Sequence, residues 1–147
     1  MQIRPATLED VPAILDLFDE AHKESPTYGE FTPDYKRQYV TLTYRCTHPD
    51  SCFFVSDDLK AALIGHLEHV PWGIEIRAVS DFFYISKPQR GSSRAVRLVD
   101  AYEAWAQEKN VRKAYIGIST GIDVEGTIGF LEKLDYEVMG VTLSKEV

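Results

Sequence analysis

The strongest candidates for chemistry lie in residues 82–99. A run of small side chains separates a strand-like segment from a helix-like one, and arginines lie on both sides of it. The members of this run are Arg90, Gly91, Ser92, Ser93, Arg94 and Ala95. Free backbone N–H groups at the start of a helix, together with small side chains and positive charge, suit an anion such as phosphate. The same pattern also fits a serine-capped amphipathic helix with solvated arginines, so both interpretations stay open.

Two elements must position this turn. The aromatic and β-branched run Phe82–Ile85 predicts a strand, which Lys87-Pro88 ends because proline cannot donate to a ladder. After the turn, apolar residues recur with the spacing of a helix. They are Ala95, Leu98, Val99, Tyr102, Trp105 and Ala106.

The turn resembles the Arg/Gln-x-x-Gly-x-Gly/Ala signature of the GNAT superfamily, the acetyl-CoA-dependent N-acetyltransferases. Arg90 matches its first position and Ala95 its last, whereas Ser93 stands where glycine is usual. The resemblance implies acetyl-CoA as co-substrate, with its pyrophosphate held by residues 90–95. It also implies that the preceding strand contacts the pantetheine arm and polarises the thioester carbonyl. The strand residues expected to do so are Phe83, Tyr84 and Ile85.

The rest of the chain predicts the order β-α-α-β-β-β-α-β-α-β, which resembles that of GNAT proteins over residues 1–147. Strands are predicted at 2–5, 52–55, 61–70, 74–86, 113–119 and 136–144, and helices from 11, 34, 95 and 124. The run from Thr7 to Asp10 has the pattern of a capping box before the first helix. We therefore expect one α/β (α+β) domain, with a mixed sheet of six to seven strands and helices on both faces. Alternation in the strand 74–86 is interrupted at Val79-Ser80, which predicts a β-bulge.

Acetyl transfer to an amine needs a proton acceptor and a donor to the developing oxyanion, but no nucleophilic side chain. Asp81 is the candidate base, because it lies in the strand that leads into the turn. The alternative is an ion pair between Asp81 and Arg77, and Glu75 is a weaker rival as base. The family's usual proton donor to the leaving thiolate is a tyrosine, and Leu131 occupies that position here.

Other polar residues receive structural interpretations. The histidines at 66 and 69 are three apart on a strand, so they face opposite sides and form no metal pair. We expect structural or solvent roles for all four histidines, and no metal. In the helix from 34, Tyr35, Tyr39 and Leu42 are expected to point inward, with the tyrosines either in the core or near an acceptor.

Net charge, hydropathy and cysteine content limit the classes of function that fit this chain. The net charge of −7 argues against nucleic acid as a partner, and no apolar run has the length of a membrane span. Two cysteines are too few for a disulfide framework, so a cytoplasmic protein with reduced thiols is expected. The predicted function is N-acetylation of a primary amine, on a small molecule or a protein, by direct attack in a ternary complex. A non-catalytic acyl-CoA-binding or protein-interaction module, or a partner-binding protein with an empty cleft, are the alternatives. A homodimer is a further expectation from the resemblance.

Overall fold

Four strands of the sheet form an antiparallel meander, and a fifth joins it in parallel. The computed structural model describes residues 1–147. The sheet order is β1-β2-β3-β4-β5, and only the β4–β5 pair is parallel. The strands are β1 Ile3–Pro5, β2 Ser51–Ser56, β3 Ala61–His69, β4 Ile76–Ile85 and β5 Ala114–Tyr115. The helices are α1 Val11–Glu24, α2 Tyr35–Thr47, α3 Arg94–Glu108 and α4 Val124–Glu132. None of these helices has the length and apolar character needed to cross a membrane.

Alternation along the strands divides the core into two layers. On β3, Ala62 and Ile64 face α1 and α2, whereas Ala61 and Leu63 face α3. The predicted stripe of α3 is confirmed from Leu98 onward, since its residues are buried against the sheet. The expectation of an α+β fold with helices on both faces is therefore confirmed.

The beginning of α1 is fixed by a capping box, as the sequence predicted. Asp10 Oδ2 accepts hydrogen bonds from the Thr7 backbone N–H at 2.8 Å and from Arg4 Nη1 at 2.7 Å. The bond from Arg4 is the main cause that lowers the pKa of Asp10 to about 2. From this start α1 crosses the sheet, so that Glu24 at its end reaches Tyr84 near the far end of β4.

The sheet has five strands, so the prediction of six to seven was wrong. Residues 136–144 form no strand, and their alternating side chains Met139, Val141 and Leu143 are exposed. An alternating segment becomes a strand only where a neighbour supplies ladder partners. The predicted strand 113–119 is reduced to the two residues of β5, which leaves little edge for a further strand to pair with.

A β-bulge divides β4, one residue beyond the predicted position. Gly65 of β3 pairs with Ser80 and Ile64 pairs with Phe82, so Asp81 has no partner. The extra residue changes which amides point away from β3. Before it, the Ala78 N–H donates to the Lys113 carbonyl at 3.2 Å, on the β5 side.

After the bulge, the alternation of amide directions along β4 is reversed. The Ser86 N–H donates to the Lys60 carbonyl at 2.8 Å, on the β3 side, and Tyr84 pairs with Ala62. Amide directions alternate along a strand, so the amides of Phe83 and Ile85 face the β5 side.

We predict that Gly65→Ala destabilises the protein, because the bulge leaves no room for a side chain. An added Cβ would lie 2.7 Å from the Val79 carbonyl oxygen and 3.0 Å from Cε2 of Tyr102. Overpacking of this kind costs about 1–3 kcal/mol of unfolding free energy, measurable by urea denaturation. Gly129→Ala is the matched control, since nothing lies within 4 Å of its Cβ and alanine is the better helix former by up to about 1 kcal/mol. Equal stability of the two variants would contradict this packing.

Candidate active site

A cleft opens where β4 and β5 separate. The two strands pair only at Ala78–Ala114 and Val79–Tyr115. Beyond that point the Gly117 N–H donates to the Ser80 side-chain oxygen at 3.0 Å, so a side chain replaces the backbone ladder. The strands then diverge around a cavity of about 360 Å³. A cleft between the ends of strands and a helix N-terminus is a common position for a ligand.

Most of the predicted coenzyme residues line this cavity, although they come from two elements. These are Phe83, Tyr84, Ile85, Arg90, Gly91, Ser92 and Ala95. Ser93 and Arg94 do not line it. The opposite wall, which the sequence analysis did not assign, is formed by Gly117, Ile118, Thr120, Ile122, Asp123, Gly126, Thr127 and Phe130.

The β4 wall of the cleft offers unpaired backbone donors. The amides of Phe83 and Ile85 face this side because of the bulge, and no β5 residue pairs with them. The backbone of Tyr84 pairs instead with Ala62, so Tyr84 contributes its side chain and not its amide. The Ile85 carbonyl oxygen accepts a hydrogen bond from Arg90 Nε at 3.0 Å.

The turn before α3 has the geometry of an anion-binding loop. Gly91 has φ of +82°, which favours glycine, and a Cβ there would meet open space. The backbone N–H groups of Gly91, Ser92 and Ser93 donate to no other group of the protein. Ser93 has φ of −73° and ψ of −1°, a right-handed conformation that needs no glycine. The departure from the family signature at Ser93 therefore causes no backbone strain.

The three arginines near the turn are not free cations, in contrast to the solvated arginines considered from the sequence. Arg90 makes a bidentate ion pair with Glu24, with nitrogen–oxygen distances of 2.5 and 2.6 Å. Arg94 pairs with Asp58, and Arg97 donates to the Met1 carbonyl oxygen at 2.5 Å. No acidic residue occurs between Phe82 and Val99, and the partners of all three arginines come from other parts of the chain.

Glu24 is the centre of this arrangement. It accepts a hydrogen bond from the Tyr84 hydroxyl at 2.8 Å as well as the pair from Arg90, and the bonds from Arg90 are the main cause that lowers its pKa. Burial and the neighbouring Glu24 raise the pKa of Tyr84, so this hydroxyl stays protonated near neutral pH. Sequence reasoning missed Glu24, because it is 66 residues from Arg90.

Asp81 lies on the α2 side of the bulge, in a cluster with two basic side chains. Its Oδ2 is 2.9 Å from His66 Nδ1 and 3.3 Å from Arg45 Nε. The expected alternative, a pair with Arg77, is wrong, because Arg77 Nε binds Glu68 Oε2 at 2.9 Å. His66 was given no chemical role from the sequence. The bulge-dependent register that brings it to Asp81 could not be read from residue spacing.

Other residues singled out from the sequence lie elsewhere. Tyr35 and Tyr39 are exposed, so their predicted inward orientation was wrong; Leu42 alone of that set is buried. Leu131 is buried within α4 and carries no hydroxyl to the cleft. Burial raises the pKa of the Cys52 thiol to about 12, which leaves it protonated and unsuited to act as a nucleophile.

A second groove lies at the opposite edge of the sheet, between β2 and α3. It has a volume of about 660 Å³ and a mainly apolar lining that includes Phe53, Phe54 and Trp105. Its charged residues are Arg45 and Glu108, and it holds no acid–base pair or free loop of amides. The β4–β5 cleft is therefore the better candidate.

Comparison with known proteins agrees with this geometry. Residues 12–136 match the model of the acetyltransferase (GNAT) family, and the chain belongs to that family. Membership implies an acyl-CoA donor and an acceptor substrate. No curated protein sequence matches the chain.

Solved structures with this fold share little sequence with the chain. A tetramutant of the BH1408 protein from Bacillus halodurans has a TM-score of 0.79 at 16% identity, with 100% of both chains covered. The apo aminoglycoside 6'-N-acetyltransferase AAC(6')-IG from Acinetobacter haemolyticus has a TM-score of 0.73 at 15% identity, with 100% of this chain and 99% of that one covered. A transcriptional regulator from Bacillus halodurans C-125 has a TM-score of 0.79 at 13% identity, with 99% of both covered. These likenesses establish the fold alone.

We predict that Glu24→Gln lowers stability near neutral pH and reduces its acid dependence. The folded-state pKa of Glu24 is below its usual value, so the ion pair stabilises the fold above the unfolded carboxyl pKa of about 4.3. That contribution is lost as the pH falls through the folded-state pKa. The expected loss at pH 7 is about 1–2 kcal/mol of unfolding free energy. Urea denaturation between pH 3 and 7 should show the two proteins converging at the acid end, whereas exposed Glu137→Gln should follow the wild type throughout. Parallel curves for Glu24→Gln and the wild type would contradict the role of this pair.

Proposed function

We propose that residues 1–147 form one acetyl-CoA-dependent N-acetyltransferase that moves acetyl to a primary amine by direct attack in a ternary complex. The observation that carries this proposal is the β4–β5 cleft, with unpaired amides of β4 along its wall and free amides of the 91–93 turn at its end. Family membership supplies the reaction class. An amine as the acceptor is supported by the aminoglycoside N-acetyltransferase of similar fold.

The two sets of amides would bind different parts of the coenzyme. The N–H groups of Gly91, Ser92 and Ser93, at the positive end of α3, would hold the pyrophosphate. Phe83 and Ile85 would hold the pantetheine arm, and one of their N–H groups would stabilise the oxyanion that forms on the thioester carbonyl. Arg90 can pair with the phosphate only if it gives up its ion pair with Glu24. The coenzyme therefore competes with a carboxylate of the protein itself.

Neither cysteine favours an acyl-enzyme intermediate. Cys46 and Cys52 do not line the cleft, and burial raises the pKa of both thiols, so the proposed route is direct attack of the amine on the thioester. Its proton passes to the cluster around Asp81, two residues and about 7 Å along β4 from Phe83. Leu131 supplies no acid to the sulfur, so the thiolate leaves and takes its proton from solvent.

The main alternative is an acyl-CoA-binding module without catalysis. It was suggested by the departures at Ser93 and Leu131. Ser93 has an ordinary helical conformation and does not line the cavity, which speaks against the first of these arguments. Leu131 remains the feature in favour of the alternative, which predicts coenzyme binding without amine acetylation.

We predict that Arg90 contributes to coenzyme affinity and that Glu24 opposes it. In calorimetric titration with acetyl-CoA, Arg90→Ala should weaken binding about tenfold, which corresponds to loss of one charge-assisted contact. Glu24→Gln should tighten binding, because Arg90 is then released from its carboxylate. Arg97→Ala is the control, since Arg97 does not line the cavity and should leave the affinity unchanged. An unchanged affinity in Arg90→Ala would remove the pyrophosphate site from this turn, and no binding to the wild type would overturn the proposed function.

We also predict that Leu131→Tyr does not raise turnover. Leu131 is only 5% exposed, so the larger ring must distort α4, at a cost of about 1–3 kcal/mol. Leu131→Met, which roughly conserves volume, should cost less than about 1.5 kcal/mol. Steady-state kinetics together with thermal denaturation would check both effects. A higher kcat for Leu131→Tyr would mean that a missing acid limits the rate.

A further inference from the structure

The contact between His66 and Asp81 defines which imidazole nitrogen carries a proton. Asp81 Oδ2 lies 2.9 Å from His66 Nδ1 and 3.3 Å from Arg45 Nε. An ionised carboxylate only accepts hydrogen bonds, so Nδ1 must donate. In the neutral ring Nε2 is then the basic nitrogen. It has no partner in the protein, and it is not among the buried unpartnered atoms, so it is accessible from the surface.

The same contacts leave Asp81 a poor candidate for the base. Its Oδ2 already accepts from His66 Nδ1, and a permanent cation, the Arg45 guanidinium, lies 3.3 Å from the same oxygen. Two basic groups of the protein thus occupy Asp81, whereas Nε2 of His66 is free to accept a proton. An imidazole held by a carboxylate is the usual side chain for proton transfer near neutral pH.

We propose that His66 Nε2 accepts the proton of the attacking amine, and that Asp81 is a positioning residue that fixes the Nδ1–H tautomer. The inference rests on the proposed function, and it assigns the proton acceptor within it. Arg45, from α2, lies 3.3 Å from the same oxygen and helps to hold the carboxylate in place. The three side chains come from α2, β3 and β4, and all three are partly exposed.

The proton and electron balance is simple. The neutral amine nitrogen forms a bond to the thioester carbonyl carbon, and the carbonyl π pair moves to oxygen. The nitrogen's proton goes to His66 Nε2. The oxyanion re-forms the carbonyl as the carbon–sulfur bond breaks, and the electron pair leaves on sulfur. Solvent protonates the thiolate and takes the proton from the imidazolium, which gives one amide and one thiol for each amine.

The acceptor nitrogen must be unprotonated, which sets the sign of the pH dependence. The charged groups that face His66 are Asp81 and Arg45. Glu68, two residues along the same face of β3, is neutralised by Arg77. On the α3 side of neighbouring Gly65 lie Cys52 and Tyr102, whose pKa values burial raises, so both are uncharged near neutral pH. Activity should therefore rise with pH as the imidazolium loses its proton.

The test compares His66→Gln, Asp81→Asn and the control His69→Gln, which changes a histidine at the end of β3. For each protein, kcat/KM with kanamycin and with spermidine is measured against pH, and acetyl-CoA affinity by calorimetry. For the wild type, ¹⁵N NMR gives the His66 tautomer and its titration.

We expect an inflection in the pH–rate profile of the wild type that coincides with the His66 titration. His66→Gln should lose this inflection and about 10²–10³-fold in rate. Asp81→Asn should keep the inflection but lower the rate, because the carboxylate no longer fixes the Nδ1–H tautomer. Coenzyme affinity should be unchanged in all three.

Several results would overturn the assignment. Full activity of His66→Gln would do so, and so would an inflection lost in Asp81→Asn but kept in His66→Gln, which would make Asp81 the base. If the wild type binds acetyl-CoA but acetylates neither amine, the NMR tautomer still tests the assignment. An Nε2–H tautomer would exclude His66 as proton acceptor, and an Nδ1–H tautomer would support that role. Failure to bind acetyl-CoA would instead refute the proposed function.

Discussion

The unpaired residue Asp81 is the constraint on which the site depends. A single extra residue in β4 reverses the direction of every later amide in that strand. Without it, the amides of Phe83 and Ile85 would pair with β3, and those of neighbouring residues would face the cleft in their place. The same bulge brings the Asp81 carboxylate within hydrogen-bond distance of His66. The proposed coenzyme wall and the proposed proton acceptor are thus two consequences of one irregularity, and the close approach of Gly65 to the Val79 carbonyl is the packing that accompanies it.

Charge at the cleft is arranged by contacts between distant elements. Glu24 at the end of α1 neutralises Arg90, and Asp58 after β2 neutralises Arg94. An arginine held in a bidentate pair has already lost its rotamer freedom, so exchanging one anion for another costs less entropy than ordering a free side chain. If the coenzyme binds as proposed, its affinity is therefore a difference between two ion pairs, and it is smaller than either alone.

The sequence predicted what depends on neighbours along the chain. The stripe of α3, the capping box before α1 and the glycine-containing turn all follow from local spacing and were found as predicted. Strand pairing depends on partners that spacing does not identify. The alternation in 136–144 is real, but β5 is too short to pair with it. Glu24 and His66 were missed for the same reason, because each acquires its role from a residue that only the folded sheet brings near.

The departures from the family signature must be weighed by the conformation at each position. Glycine in a signature indicates either a positive φ or a close approach of the backbone. The positive φ here belongs to Gly91, and Ser93 has a conformation that any residue adopts. Leu131 differs, because its buried side chain packs in the interior and has no hydroxyl group where the family usually has a tyrosine. A thiolate is a stable leaving group, so loss of an acid at the sulfur affects the reaction less than loss of a base at the nitrogen would. The chemistry therefore depends on the side of the sheet where the Asp81 cluster lies, and Leu131 does not decide it.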